Sequence, residues 1–277
     1  PSAYALADSY RAQGVPVVVG GVHASLMPGE ALRHADAVVA GEAEAVMPTV
    51  LADVAAGSLK PIYEGEWLDM DATPSISEYA DLYSSGPNRW SPIHGIQTSR
   101  GCRYNCSYCS VIRINGRGMR HMDPERAVEE LRIISRLPLQ IPGGTAVYIH
   151  DDDLMSDPDY TKLLYEAIIR SKLKLRIGCQ ASIGIARDSE LLALAARAGT
   201  TSICVGLESM SRESLIEANK KNRPHEFKEL IARVHEHGIG LTTGVIFGFD
   251  HDEPDIFEQT GRFLEDIEVD NVHFTAL

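Results

Sequence analysis

Residues 99–109 read SRGCRYNCSYC and place three cysteines, Cys102, Cys106 and Cys109, on one short loop with the spacing CxxxCxxC. Three thiolates around one small volume can hold three irons of a [4Fe-4S] cube and leave the fourth iron without a protein ligand. An electron-transfer cluster normally has a fourth cysteine. The spacing therefore predicts an iron that binds a ligand and takes part in chemistry, which makes an enzyme the leading hypothesis.

Zinc is the alternative metal for these cysteines. Cys106 and Cys109 alone have the spacing of a zinc knuckle, and Cys102 with a histidine such as His121 could complete a tetrahedron. A structural zinc site usually stabilises a small domain that lacks a core, whereas a chain of 277 residues can bury its own core. A non-catalytic iron-sulfur or zinc-binding module remains the alternative from a different functional class.

The same stretch resembles the cluster loop of the radical S-adenosylmethionine (SAM) enzymes, which has the pattern CxxxCxΦC with an aromatic residue at Φ, here Tyr108. The resemblance implies that the three cysteines ligate the cluster and that the amino and carboxylate groups of SAM bind its open iron. It places the backbone around Tyr108 near the adenine. It further implies that an electron from the reduced cluster cleaves SAM to methionine and a 5'-deoxyadenosyl radical, which abstracts hydrogen from a substrate.

Charge and composition limit the partners and the compartment. The chain has 39 acidic and 26 basic side chains and a net charge of -13, so its surface as a whole should repel nucleic acids and anionic membranes. No apolar run approaches the ~20 residues of a transmembrane helix, and no signal-peptide pattern is present. Five cysteines with three on one loop suit a reducing compartment. We expect a cytoplasmic protein that acts on a small-molecule substrate.

The first 60 residues alternate between helical and strand-like patterns. An amphipathic start is followed by strand Val15–Val19, helix Pro28–His34, strand Ala37–Ala40 and helix Ala45–Ala56. This order predicts the second half of a doubly wound, Rossmann-like α/β domain. Residues 61–92 contain four prolines with little periodicity and are predicted to be a linker. Both ends of the chain lie inside structured patterns, so we expect a fragment of a longer polypeptide, truncated at both ends.

Residues 93–277 contain a regular alternation of strands and helices. The predicted strands are Ile93–Thr98, Ala146–His150, Leu175–Cys179, Ser202–Gly206, Leu241–Phe247 and Asn271–Ala276. The predicted helices are Pro124–Ser135, Asp159–Arg170, Ser189–Ala198, Pro224–His237 and Pro254–Asp266. Repeated βα units with right-handed crossovers predict an α/β fold with a parallel sheet that curls into a partial (β/α)6 barrel. The resemblance identifies this region as the radical SAM core.

In a parallel barrel the chemistry lies at the carboxyl ends of the strands. Asp151, Asp152 and Asp153 follow the second strand; each could equally cap a helix or a turn. In the family, polar residues at this place hold the amino group of SAM, and the resemblance assigns that role to Asp152 or Asp153. Gln180 follows the third strand and is a further candidate for cofactor binding.

Glu208 follows the fourth strand. A carboxylate at a strand end can accept both hydroxyl groups of a ribose, and this makes Glu208 the candidate for the SAM ribose. The alternative is an acidic residue facing the dipole of a following helix. Lys220 and Arg223 come next; basic residues near this place bind the SAM carboxylate in some relatives, although a charged run is usually a solvated face.

The run Gly244-Val245-Ile246-Phe247-Gly248 on the fifth strand resembles the family's GxIxGxxE motif, which packs against adenine. The resemblance implies that Gly244 and Ile246 lie close to the SAM adenine, where a glycine lets the backbone approach a ring. The final glutamate of the motif is replaced by His251. The polar role of that position is therefore left open.

The turn Gly20-Gly21-Val22-His23, followed by Gly41-Glu42-Ala43-Glu44, resembles the cobalamin-binding domain that precedes many radical SAM cores. The resemblance implies that Gly20 and Gly21 let the backbone approach the nucleotide tail of cobalamin. Taken alone, two glycines after a strand form an ordinary tight turn. Only about half of such a domain is present, and the chain has no DxHxxG motif to supply a lower axial histidine.

The resemblance as a whole implies a cobalamin-linked radical SAM enzyme that activates an unreactive C-H bond. Its cofactors would be a [4Fe-4S] cluster, SAM and cobalamin, with an electron donor such as flavodoxin or ferredoxin. In many relatives the carbon radical then takes a methyl group from methylcobalamin. The alternative is the same radical chemistry without methyl transfer, such as ring closure or rearrangement. A methylthiotransferase needs three more cysteines, and only Cys179 and Cys204 remain.

Overall fold

The structure is a computed structural model that describes residues 2–85, 94–137 and 142–277. The chain divides into two compact units. The N-terminal unit comprises the residues up to Pro74 together with Ser110–Gly116, and the C-terminal unit comprises Ser75–Cys109 together with Arg117–Leu277.

The N-terminal unit is a small parallel sheet with helices. Its strands, in spatial order, are β1 (Val18–Val19), β2 (Ala37–Gly41) and β3 (Ile62–Gly65). Its helices are α1 (Ser2–Arg11), α2 (Val22–Leu26), α3 (Pro28–Ala31), α4 (Met47–Ala56) and α6 (Val111–Ile114). The core of this unit contains Val38 and Val39 of the central strand, which point to opposite faces of the sheet and are both buried.

Strand β3 lies within residues 61–92, which the sequence predicts to be a linker. It pairs in parallel with β2, with Val38 opposite Ile62, and its Tyr63 is buried beside Val39 and Val50. The Tyr63 hydroxyl donates a hydrogen bond of 2.7 Å to Asp53 Oδ2 of α4. A strand of four residues between polar segments gives too short a periodic signal to be found from sequence. Pro87 and Pro92 of the predicted linker lie outside the described residues.

The C-terminal unit contains a six-stranded parallel sheet. Its strands, in spatial and chain order, are β4 (His94–Ile96), β7 (Thr145–Ile149), β8 (Leu175–Gln180), β9 (Thr200–Glu208), β10 (Gly240–Phe247) and β11 (Asn271–Ala276). Two short strands, β5 (Ser99–Arg100) and β6 (Arg120–His121), form a separate antiparallel pair. Sequential order with parallel pairing confirms the partial (β/α)6 barrel. Ile93, the predicted start of the first strand, lies outside the described residues.

Helices connect the strands of this unit. They are α5 (Ala80–Ser85), α7 (Pro124–Ile134), α8 (Pro158–Ser171), α9 (Ser189–Ala198), α10 (Arg212–Glu217), α11 (Phe227–Glu236) and α12 (Ile256–Ile267). Aspartates cap the first turns of three of them: Asp123 for α7, Asp157 for α8 and Asp188 for α9. The predicted helices lie within a few residues of these bounds, except that Pro224–Glu226 forms a 3-10 turn before α11.

Alternate residues along the central strands are fully buried and form one face of the sheet. This face includes Ile149, Ile177, Ile203 and Val205, each with no exposed surface. The strand β9 runs to Glu208, two residues beyond the predicted end, and its register with β10 shifts at Gly244 and Val245. Within the described ranges no helix is both long and apolar enough to cross a bilayer.

Candidate active site

The three cysteines lie on a loop that leaves the sheet at the carboxyl end of β4. The pairing of β5 with β6, with Ser99 opposite His121, closes the base of this loop. Gly101 has a φ of 105°, which turns the chain directly before Cys102. All three cysteines are half-buried, and none of them forms a disulfide bond. We call residues 98–109 the cluster loop.

Asp151 and Asp152, which follow β7, anchor the base of the cluster loop. The Asp151 carboxylate is fully buried and accepts hydrogen bonds from Thr98 N and Thr98 Oγ1, both at 2.6 Å, and from Ser99 Oγ at 2.7 Å. Burial raises the pKa of Asp151, and these hydrogen bonds oppose the shift. Asp152 Oδ2 accepts from Gly101 N at 2.9 Å. Sequence reasoning identified the aspartates but not this anchoring role.

Asp153 joins the strand ends of β7 and β8. Its carboxylate accepts from Met155 N at 2.9 Å and from Ser182 N at 2.7 Å, and it caps the 3-10 turn Leu154–Ser156. Burial raises the pKa of Asp153. The hydroxyl of Ser156, in the same turn, lies 3.4 Å from Cys102 Sγ. The predicted role of Asp152 or Asp153 toward the SAM amino group stays a prediction.

The turn after α10 supports the cluster loop from a second direction. Ser107 N donates to Ala218 O at 3.0 Å, and Ser107 Oγ donates to Glu217 O at 3.1 Å. Asn219 has a φ of 51° and donates its side-chain amide to Asn105 O at 2.7 Å. The sequence patterns do not predict α10. A short helix before an asparagine is the only sequence signal for this turn. The cluster loop is thus hydrogen-bonded to two distant segments of the same unit.

Glu208 and Lys220 form a buried ion pair beside the cluster loop. Lys220 Nζ lies 2.8 Å from Glu208 Oε1. Burial alone would lower the pKa of Lys220, but the charge of Glu208 and its hydrogen bond raise it above its ordinary value. Burial, and then the neighbouring Glu208 charge, raise the pKa of Tyr108. The aromatic residue of the cysteine motif therefore contacts the carboxylate that the sequence assigns to the SAM ribose.

The remaining predicted residues of the core lie on β8 and β10. Gln180 is the last residue of β8 and its side chain is exposed. Gly244 and Ile246 are half-buried on β10, and a Cβ at Gly244 would meet nothing within 4 Å. His251, at the position of the missing glutamate, lies 3.0 Å from Glu217 Oε2. His251, which stands where the motif has a glutamate, is therefore in contact with the carboxylate of Glu217 from α10.

Gly20 and Gly21 lie in the N-terminal unit, between β1 and α2. Gly21 has a φ of 92°, and a Cβ at this residue would meet nothing within 4 Å. Ser25 Oγ donates to Gly21 O at 2.9 Å and accepts from Gly41 N at 3.0 Å. The turns after β1 and β2 are therefore joined by one serine. Gly21 borders open space, whereas a Cβ at Gly20 would lie 3.5 Å from Val39 O.

The thiol set fits a [4Fe-4S] cube on chemical grounds. In the described part of the chain, no three His, Cys, Asp or Glu side chains converge as ligands of a single metal ion. A cube does not need such convergence, because each thiolate binds a different iron. Burial raises the pKa of the Cys102 and Cys106 thiols in the metal-free chain, and coordination to a cation favours the thiolate instead.

The histidine considered for a zinc site stacks on an aromatic ring and lies beside a carboxylate. His121 stacks on Tyr160 with a ring-centroid distance of 4.1 Å, and its Nε2 lies 3.4 Å from Asp157 Oδ2. The polar contacts of Cys102 are with Ser156 Oγ and with the backbone of Tyr104. The geometry thus favours the cysteine-only ligand set.

Two curated proteins resemble the chain over most of its length. Bacteriochlorophyllide d C-12(1)-methyltransferase of Chlorobaculum tepidum is 28% identical over 95% of the chain and 57% of its own length. The anaerobic magnesium-protoporphyrin IX monomethyl ester cyclase of Cereibacter sphaeroides is 27% identical over 91% of the chain and 45% of its own length. The chain therefore spans about half the length of the curated relatives it matches.

A solved structure confirms the fold. The radical SAM methyltransferase TsrM of Kitasatospora setae, solved with cobalamin and a [4Fe-4S] cluster, superposes with a TM-score of 0.75 at 17% identity and covers 99% of this chain and 59% of its own. Residues 96–264, more than half of the chain, match the radical SAM superfamily. These residues include the cluster loop, Glu208 and most of the six-stranded sheet. The chain therefore belongs to the radical SAM superfamily, whose members use a [4Fe-4S] cluster and SAM.

Proposed function

We propose that the chain is the core of a cobalamin-dependent radical SAM enzyme that transfers a methyl group to an unactivated carbon of a small molecule. The observation that carries this proposal is the cluster loop, with three cysteines in CxxxCxΦC spacing and a base fixed by Asp151 and Asp152. The methyltransferase names of the relatives support methyl transfer. When bound, the cluster and SAM supply the 5'-deoxyadenosyl radical, and cobalamin supplies the methyl group.

The residues of this chain bind and orient those groups in the proposal. Cys102, Cys106 and Cys109 provide the three thiolates. Around SAM, we assign the amino group to Asp152 or Asp153, the ribose to Glu208 and the adenine to the strand β10. The proposed SAM-binding residues are Tyr108, Asp152, Asp153, Gln180, Glu208, Gly244 and Ile246.

In the N-terminal unit we assign the cobalamin contact to Gly20 and Gly21. The positive φ of Gly21 and the open space at its Cα fit a backbone that a bulky ligand approaches closely. A low-potential electron carrier such as flavodoxin or ferredoxin is the proposed partner. Residues 1–60 are proposed as the C-terminal half of a cobalamin-binding domain, and residues 93–277 as the radical SAM core.

The test uses the full chain, reconstituted with iron and sulfide without oxygen and supplied with SAM, dithionite and hydroxocobalamin. We expect 5'-deoxyadenosine, and S-adenosylhomocysteine only when cobalamin is present as the methyl acceptor. Cys106→Ser should form neither product. Cys179→Ala, which removes a buried thiol of the sheet core, should retain both.

A second candidate function is radical cyclisation without methyl transfer, which the similarity to a named cyclase favours. Under this alternative, 5'-deoxyadenosine forms but S-adenosylhomocysteine does not, whether or not cobalamin is added. Absence of 5'-deoxyadenosine from a wild-type protein that carries iron and sulfide would refute both candidates.

A further inference from the structure

In the described part of the chain, one face of the six-stranded sheet is only partly covered. On the central strands, the residues that alternate with the buried ones are half-buried or exposed: Tyr148 and Cys204 are half-buried, and Gln180 and Ser202 are exposed. His150, two residues after Tyr148, is also exposed and extends the same face. We call these five side chains the open face. Parallel sheets normally have both faces covered, so a face that the described residues leave partly exposed in the middle of the sheet is available to a ligand.

Glycines leave room for two aromatic rings on the open face. The register places Gly95, Tyr148, Gly178, Ser202 and Gly240 in one row across five strands. A Cβ at Gly178 would lie 2.9 Å from the Tyr148 ring, and a Cβ at Gly95 would lie 2.5 Å from the His150 ring. The Tyr148 ring therefore lies over Gly178 of β8, and the His150 ring lies over Gly95 of β4. Their centroids are 4.8 Å apart with an interplanar angle of 50°.

The open face carries polar atoms without partners. In the part of the chain that the structure describes, the side chains of Tyr148, Gln180 and Ser202 make no hydrogen bond to another residue. Burial raises the pKa of Tyr148 to about 12, so its phenol stays protonated and can donate at neutral pH. These groups can pair with nitrogen or oxygen atoms at the edge of a bound molecule.

The two rows of residues across the open face contain no Asp, Glu, Lys or Arg side chain. The row through Tyr148 contains only glycine, tyrosine and serine, and the next row contains Gln180, Cys204, Thr242 and Asn271. The nearest charges along β9 are those of Glu208 and its partner Lys220, which neutralise each other. Arg176, two residues before Gly178 on β8, lies outside these rows and donates to Pro142 O. Within the rows, a charged ligand would lose its hydration without gaining an ion pair. An uncharged ring can instead stack on the aromatic side chains.

We propose that the open face is the substrate floor and that the part of the substrate lying on it is a flat, uncharged aromatic ring held by Tyr148 and His150. Gln180 and Ser202 donate or accept hydrogen bonds at the edge of that ring. The inference rests on the proposed function, since it names the substrate class for that same site. Of the residues proposed to bind SAM, Gln180 alone also belongs to the open face; Tyr148, His150 and Ser202 are not among them.

The test compares two neutral probes with the same carbon skeleton and hydroxyl group, naphthol and decahydronaphthol. Only naphthol is flat and aromatic. Binding to the reconstituted chain is measured by saturation-transfer NMR at saturating SAM, so that the adenine site is filled. We expect naphthol to bind at least about fivefold more tightly than decahydronaphthol, because a gain in affinity of this size is what one aromatic contact contributes.

Variants assign the preference to the open face. Tyr148→Leu should lower naphthol affinity about fivefold and abolish the preference. Phe257→Leu, which removes an exposed aromatic ring on α12, is the matched control and should keep the preference. If Tyr148→Leu fails to fold, His150→Leu replaces it, because the exposed His150 side chain does not pack in the core.

Equal binding of the two probes to wild type, or unchanged naphthol affinity in the folded variant, overturns the inference. The formation of 5'-deoxyadenosine by the wild-type protein is measured in parallel. A wild-type protein that prefers naphthol but cannot cleave SAM refutes the proposed function and leaves the aromatic floor standing. A protein that cleaves SAM but binds the two probes equally refutes the aromatic floor and leaves the proposed function standing.

Discussion

Lys220 Nζ lies 2.8 Å from Glu208 Oε1, and the two side chains are only 16% and 9% exposed. Glu208 reaches this position from a left-handed backbone conformation, with φ at 71°, at the end of β9. A non-glycine residue pays for such a conformation in free energy, so it persists where tertiary contacts hold it. The ion pair and the contact with Tyr108 are those contacts. The carboxylate proposed for the SAM ribose is thereby fixed before SAM binds.

Removing one partner of this pair should destabilise the C-terminal unit. We expect Lys220→Met to lower the free energy of unfolding by about 3 kcal/mol, because Glu208 is left as an unpaired buried charge. Glu208→Gln should cost less, since the amide can still accept from Lys220. Urea denaturation of the metal-free chain measures both values.

The double variant, Lys220→Met with Glu208→Gln, provides the control for coupling. It should be more stable than the sum of the two single losses predicts, because neither variant side chain leaves a charge unpaired. Strict additivity of the two losses in free energy of unfolding would mean that the side chains do not interact, which would contradict the 2.8 Å contact between them.

The anchoring of the cluster loop by Asp151 leads to a second prediction. Asp151→Asn replaces one accepting oxygen by an NH2 group that faces the donors of Thr98 and Ser99. We expect a loss of about 2 kcal/mol in unfolding free energy and a lower iron content after reconstitution. Denaturation and iron analysis are the measurements. Asp159→Asn, at an exposed position in α8, should change neither.

The strands of the barrel were predictable because each carries an apolar run ending at a turn residue, and β11 has the predicted bounds. The position of the three cysteines on one loop was predictable from their spacing, and their role as cluster ligands stays a prediction. The anchoring residues were not predictable, since Asp151 bonds to Thr98 across 53 residues and no local pattern encodes that distance. Two-residue strands such as β5 and β6 leave no periodicity to detect.

The asparagine beside the cluster loop supports a third prediction. Asn219→Gly preserves the left-handed backbone and removes only the amide that donates to Asn105 O. We expect it to fold normally and to lose its cluster faster in air, followed as the decay of iron-sulfur absorbance. Asn219→Ala should lose the cluster equally fast and also unfold about 1 kcal/mol more easily, because alanine is strained at this φ. Identical decay in wild type and Asn219→Gly would remove the amide from any role in holding the loop.

The pair His251 and Glu217 predicts a pH effect. Their hydrogen bond raises the pKa of His251 and lowers that of Glu217. The contribution of His251 is present below its ordinary pKa of 6.5 and is lost as the pH rises through the raised value. The contribution of Glu217 is present above its ordinary pKa of 4.5 and is lost as the pH falls through the lowered value. The pair therefore stabilises the protein most between these two ordinary values.

An NMR titration of the His251 ring measures this interaction directly. In Glu217→Gln the pKa of His251 should fall toward its ordinary value, because the neutral amide no longer favours the imidazolium. Glu253→Gln, which alters a nearby carboxylate that does not contact His251, serves as the reference. A His251 pKa that is the same in all three proteins contradicts the contact.

Gly206 and Gly244 form a matched pair for the last prediction, since they lie opposite each other on β9 and β10. A Cβ at Gly206 would lie 2.0 Å from Glu208 Oε1 and 3.2 Å from Lys220 Nζ, whereas a Cβ at Gly244 would meet nothing within 4 Å. Gly206→Ala should therefore push Glu208 away from Lys220 and lower the free energy of unfolding by about 2 kcal/mol. Gly244→Ala should stay within about 0.5 kcal/mol of wild type. Urea denaturation ranks the three proteins, and equal losses at the two glycines would show that strand propensity, rather than the space for Glu208, requires Gly206.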